Sequence, residues 1–174
     1  KTENTNNIKS YSEKKDESSQ LTQNSGNYKS IHDINELHSI IEEIIQKGFC
    51  AFDLETDGLN PHQAHMAGFS ICFEEGKSYY VPFTSAEKDT FEAPNYIAKN
   101  DAIKILNDIF SNETMKVITH NGKFDYQVLR ANGLSKPKCK FIDTMIAAWL
   151  LNPDQNSFSL ETLSENILNL ATIA

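Results

Sequence analysis

Two short stretches hold the residues whose types and spacing could do chemistry. In Phe49-Cys50-Ala51-Phe52-Asp53-Leu54-Glu55 a strand period of two sends Cys50, Phe52 and Leu54 to one face, and places Asp53 and Glu55 together on the other. Neighbouring carboxylates repel and raise each other's pKa unless a cation neutralises them, so the pair suits a hard metal such as magnesium or manganese. Taken by itself, an acid-x-acid strand end is more often two solvated side chains. In His120-Asn121-Gly122-Lys123-Phe124-Asp125 a strand gives way to a helix. If Asn121 caps that helix, Asp125 lies one turn on along the same face and can look toward the first two acids. A helix cap followed by an acid favourable to the helix dipole accounts for the same letters.

Between Gly122 and Ile142 the chain carries Lys123, Arg130, Lys136, Lys138 and Lys140, with Asp125 as the sole acid. This locally basic run could hold phosphates leading into the acids, although a solvated charged face is the more frequent meaning of such a run. The chain as a whole has a net charge of −8, which argues against broad phosphate attraction and leaves a nucleic-acid partner dependent on metal ions or a local patch. His62 and His65 form an H-x-x-H pair without a third ligand nearby, and read as ordinary loop histidines. Trp149, Met145, Ile146 and Leu150 have the spacing of a helix packed into a core. Cys50, Cys72 and Cys139 fit neither a disulfide framework nor a zinc site, and read as reduced residues, mostly core.

The elements that must position these groups belong to one domain, since 174 residues leave little for a second core. Residues 1–27 are polar apart from Ile8, Tyr11 and Leu21 and are expected to be a linker or tail, with the folded part, 28–174, starting near Tyr28. Ile34, Leu37, Ile41 and Ile45 at helical spacing, with Asp33 and Glu36 as a capping-box-like pair and Gly48 where a helix would stop, predict a helix over about 34–47. Three strands follow at 49–55, 66–73 and 78–83, an antiparallel meander with turns at Asp57-Gly58 and Glu75-Gly76. Further on the pattern predicts a helix over 101–110, a strand at 116–120, and helices over about 122–132, 143–151 and 159–170. Strands first and alternating helices later give an α/β class with a mixed sheet flanked by helices. No apolar run approaches the roughly 20 residues a membrane helix needs, and no secretory signal is apparent, so a cytoplasmic setting is expected.

Three blocks together resemble the 3′→5′ exonuclease domain of bacterial family A DNA polymerases, a ribonuclease-H-like fold of the four-carboxylate (DEDD) exonuclease class. They are Phe52-Asp53-Leu54-Glu55-Thr56-Asp57-Gly58-Leu59, then His120 to Asp125 matching N-x-K-[YF]-D, then Phe141-Ile142-Asp143-Thr144-Met145 continuing to Leu151, with Ser159–Leu163 behind it. The resemblance implies a ribonuclease-H-like mixed sheet, antiparallel meander plus parallel strands. It implies a proofreading exonuclease in which Asp53, Glu55 and Asp125 bind two divalent cations, Mg2+ or Mn2+. Thr56 and Leu59 would meet the terminal nucleotide, while Asn121, Lys123 and Phe124 would line the single-stranded 3′ end of DNA. The implied partners are a polymerase domain C-terminal to this chain and a 5′-nuclease domain N-terminal to it, in a monomer with no membrane association. The family's last motif, with its Tyr and fourth metal-binding Asp, is expected beyond Ala174, and Phe158 stands where family members often carry His. A ribonuclease-D-like RNA exonuclease shares the first block, and a catalytically silent module beside a polymerase would keep the same fold.

Overall fold

The computed structural model describes residues 22–23, 26–83 and 96–171. In chain order the elements are β1 (Thr22–Gln23), β2 (Asn27–Ser30), α1 (Ile34–Lys47), β3 (Phe49–Thr56), β4 (Met66–Glu74), β5 (Lys77–Pro82), α2 (Lys99–Phe110), β6 (Lys116–Thr119), α3 (Gly122–Ala131), β7 (Lys140–Asp143), α4 (Thr144–Leu151), α5 (Leu160–Leu163), a π-helical stretch (Ser164–Leu168) and β8 (Leu170–Ala171).

Helix α1 shows how local sequence sets an element. Asp33 accepts hydrogen bonds from the N–H groups of Asn35 and Glu36, and Gly48 ends the helix at φ 78°, a conformation that costs glycine little. Glu36 does not return a bond to Asp33 but pairs with Lys29, tying α1 to β2. In β3 the alternation is as expected: Cys50, Phe52 and Leu54 are buried, and Asp53 and Glu55 are exposed.

β3 lies inside a six-stranded sheet of order β2-β5-β4-β3-β6-β7. β3, β4 and β5 form the antiparallel meander, while β6 runs parallel to β3 and β7 parallel to β6. The sheet is thus the mixed one expected, of ribonuclease-H-like type, flanked by helices. Leu37, Ile40, Ile41 and Ile44 of α1 and Ile105, Leu106 and Ile109 of α2 join Cys50, Phe52, Phe69 and Ile71 of the sheet in one core. Phe52 meets Phe110 edge to face at 5.3 Å, which locks β3 onto α2.

Four expectations need correction or completion. A strand the sequence did not foretell, β7, precedes α4, because the four residues Lys140–Asp143 are too few to display a period. The expected helix over 159–170 breaks up: α5 has four residues, a π-helical stretch follows, and Asn169 turns the chain at φ 55° into β8. Helix α4 buries none of its residues, so Trp149 is not core: it is 52% exposed, and Leu150 and Leu151 are 69% and 87% exposed. The physical reason is position, since α4 follows the edge strand β7 and no described element covers its outer flank. Within residues 1–27, expected to be a tail, Thr22–Gln23 pairs with Leu170–Ala171, and Asn27 opens β2, whose remaining residues begin the expected folded part. Residues 1–21 and 24–25 of that stretch lie outside the described residues.

Candidate active site

Asp53 stands at the middle of β3, paired across the sheet with Ser70, and Glu55 stands one strand period on, opposite Gly68. Asp125 lies in the first turn of α3, is only 3% exposed, and its Oδ2 has no hydrogen-bond partner among the described residues. A buried acceptor left unpaired costs about 1–3 kcal/mol, and more when it is charged, so such an atom asks for a ligand. Burial first, then the charges of Asp53 and Asp143, push the Asp125 carboxyl from its ordinary 3.8 up to about 7, and the Leu54 N–H offsets a part of this. The Asp53 carboxyl is raised as well, chiefly by partial withdrawal from water, against the lowering effects of His120 and of the same Leu54 N–H. The two carboxyls therefore lie close enough to act on each other, around one backbone amide. Glu55 extends this acidic edge, where its charge helps burial to raise the Tyr80 phenol above the ordinary value.

This donor set fits a hard divalent cation: oxygen ligands, mutual repulsion, and one buried oxygen without a proton donor. Among the described residues no group of three or more His, Cys, Asp or Glu side chains is placed to hold a metal ion.

The remaining residues singled out by sequence fall in three places. Thr56 ends β3 and its Oγ1 donates to the Gly58 carbonyl at 3.1 Å, while Leu59, in the loop beyond, is 94% exposed. That loop is closed at its base by His65, whose N–H and ring Nδ1 each lie 2.8 Å from the Asp57 carboxylate. His65 of the H-x-x-H pair is thus engaged by Asp57. Asn121 takes the left-handed conformation, φ 65° and ψ 39°, and its side chain does not cap α3, contrary to the role the sequence suggested. Asparagine is among the non-glycine residues that enter this region most readily. Lys123 is exposed and lines a groove of about 640 Å3 between α3 and α4 with Tyr126, Phe141, Ile146 and Leu150. Phe124 is half-buried against the core. Of the basic run, Lys138 pairs with Glu113 at 3.5 Å and Arg130 donates to the Leu134 carbonyl.

Sequence reasoning passed over three neighbours of the acids. Asp143 holds the start of α3 as well as that of α4, accepting from Gly122 N at 2.8 Å and from Met145 N at 2.9 Å. His120 bridges Thr144 Oγ1 at 2.8 Å and the Phe158 carbonyl at 2.9 Å. Tyr80 reaches across Gly68, where any Cβ would meet its hydroxyl at 2.7 Å, and so stands beside Glu55. The Asp-Thr-Met block was the available signal for the first; for Tyr80 only the cross-strand register reveals it.

The 3′-5′ exonuclease family matches residues 28–174. DNA polymerase I of Treponema pallidum is 32% identical over 88% of this chain and 18% of its own length. DNA polymerase I of Borreliella burgdorferi is 38% identical over 81% of this chain and 14% of its own. The chain therefore spans less than a fifth of these relatives. Among solved structures, Escherichia coli RNase D superposes with a TM-score of 0.64 at 18% identity, over 84% of this chain and 35% of that one. Brucella melitensis NrnC with bound Mg2+ gives 0.63 at 21% identity, over 86% of this chain and 65% of that one. At these identities the two structures speak for the fold, and the sequence matches for the lineage: this chain belongs to the 3′-5′ exonuclease family of DNA polymerase I.

Proposed function

We propose that this chain is the proofreading module of a larger DNA polymerase I, releasing nucleoside 5′-monophosphates from the 3′ end of a DNA strand. The observation that carries the reading is the Asp125 carboxylate, buried with an unpaired oxygen beside Asp53. Asp53, Glu55 and Asp125 would hold the two divalent cations, Mg2+ or Mn2+, and the Mg2+ bound by the similarly folded NrnC supports that choice. Bound there, the ions would supply an acidified water and charge stabilisation at the departing 3′ oxygen.

The chain's own residues orient the strand. Leu59, projecting from a loop latched by Asp57 and His65, packs on the terminal base, and Thr56 at the loop's base meets the same nucleotide. Asn121, with its free amide group, and Lys123 take phosphates or sugar edges of the incoming single strand, and Phe124 forms the apolar wall behind them. Contacts of this kind are indifferent to base sequence, as removal of any misinserted nucleotide requires. By the same reading a polymerase domain follows and a 5′-nuclease domain precedes in the parent protein, a cytoplasmic monomer. Among the described residues no helix is long and apolar enough to cross a membrane.

The test is Mn2+-dependent shortening of a frayed primer by the polymerase that contains this chain. Asp53→Ala and Asp125→Ala are each expected to abolish shortening while leaving nucleotide addition intact. Shortening at the unsubstituted rate would remove that carboxylate from the site.

A further inference from the structure

We propose that Asp143 is a positioning residue, which anchors the first turn of α3 and thereby holds Asp125 in place. This rests on the exonuclease reading and assigns a function to a side chain which that reading leaves idle.

Helix α3 starts in an unusual way. The residue at its N-cap, Asn121, has left-handed backbone angles and contributes no side-chain cap, so the first N–H groups of the helix need an acceptor from elsewhere. Asp143 supplies it from a neighbouring strand: Oδ2 accepts from Gly122 N at 2.8 Å and Oδ1 accepts from Asn121 N at 3.3 Å. The same carboxylate caps its own helix, with Oδ1 accepting from Met145 N at 2.9 Å and Ile146 N at 3.2 Å. One side chain thus fastens two helix starts, and Asp125 sits one turn after Gly122 on the helix so fastened.

The surroundings leave that start little freedom. Parallel pairing of β6 and β7 sets Thr119 opposite Asp143. Thr144 Oγ1 donates to the Thr119 carbonyl at 3.0 Å, and His120 is held between Thr144 and Phe158. The turn from Thr119 to Gly122 is so tight that a Cβ on Gly122 would lie 2.1 Å from Thr119 Oγ1. A turn packed this closely cannot drift to find a new acceptor, so loss of the Asp143 carboxylate leaves α3 without its cap. An ordinary cap of α4 alone would explain the bonds to Met145 and Ile146 but not those to Asn121 and Gly122.

Asp143→Ser separates the two jobs, because serine is a good local cap for α4 but too short to reach α3. Hydrogen exchange of the metal-free 174-residue chain is expected to show the Gly122 amide at least tenfold less protected in the variant, with Met145 and Ile146 within twofold of the unsubstituted chain. Mn2+ titration of the same chain is expected to give at least tenfold weaker binding. Unchanged protection at Gly122 would overturn the proposal, and so would lost protection accompanied by unchanged Mn2+ affinity. Mn2+ uptake by the unsubstituted chain that Asp53→Ala does not lower would count against the exonuclease reading, and the exchange measurement would still decide whether Asp143 anchors α3.

Discussion

Asp125→Asn should make the metal-free chain more stable, by an amount that depends on pH. The folded chain holds the Asp125 proton up to about pH 7, whereas an exposed aspartate gives it up near 3.8. Between those values the unfolded chain has lost the proton and the folded chain has not, so this group's contribution to stability is intact below pH 3.8 and is lost as pH rises toward 7. The interval is a little over three pH units, and at about 1.36 kcal/mol per unit the loss reaches roughly 4 kcal/mol by pH 8. Asparagine keeps the shape and cannot ionise. Urea denaturation in EDTA should therefore show the variant exceeding the parent by about 1 kcal/mol at pH 4.5 and by roughly 4 kcal/mol at pH 8, with other titrating groups cancelling in the difference. Excess Mn2+ at pH 8 should stabilise the parent and leave the variant unmoved. A difference that is the same at both pH values would refute the reasoning, because it would mean that Asp125 ionises in the fold as freely as in water.

Two further outcomes follow from packing and exposure. Gly122→Ala should destabilise the chain by about 2–3 kcal/mol, since its Cβ would strike Thr119 Oγ1 and Cβ, and a second substitution, Thr119→Ala, should recover only part of this because the Cβ contact at 2.8 Å persists; denaturant midpoints check both. Leu59→Ala should leave stability within about 0.5 kcal/mol, as expected of a side chain that is 94% exposed, while raising the KM for a single-stranded 3′ end in the full polymerase; an unchanged KM would remove Leu59 from the nucleotide contact.

Much of the site was legible because it rests on short-range rules. Strand alternation alone put Asp53 and Glu55 on one side of β3 and Cys50, Phe52 and Leu54 on the other. The Asp33 cap and the Gly48 stop framed α1 to the residue. What escaped depends on contacts between distant parts of the chain. Asn121 looked like an ordinary cap, but the cap comes from Asp143, 22 residues later, and only the β6–β7 register makes that reachable. The depth of Asp125 could not be read from its letter, since acids in a first helical turn are normally solvated. Trp149 misled because helical spacing reports which residues share a flank, and says nothing about whether another element covers it. The break after Leu163 does not disturb the apolar spacing of Leu160, Leu163, Ile167 and Leu168, and Asn169 turns left-handed at the end of a π-helical stretch.

The place of β3 in the sheet order has a consequence for how the molecule is made. One edge of β3 pairs with β4, which starts ten residues after Thr56, but the other waits for β6, which starts 60 residues after Thr56. Until Lys116 to Thr119 emerge from the ribosome, that ladder of N–H and C=O groups is open to any other strand, and charges on such a border discourage chain-to-chain joining. The β6 ladder covers only Phe49–Ala51, so among the described residues the Asp53–Glu55 end of β3 stays without a partner strand on that side.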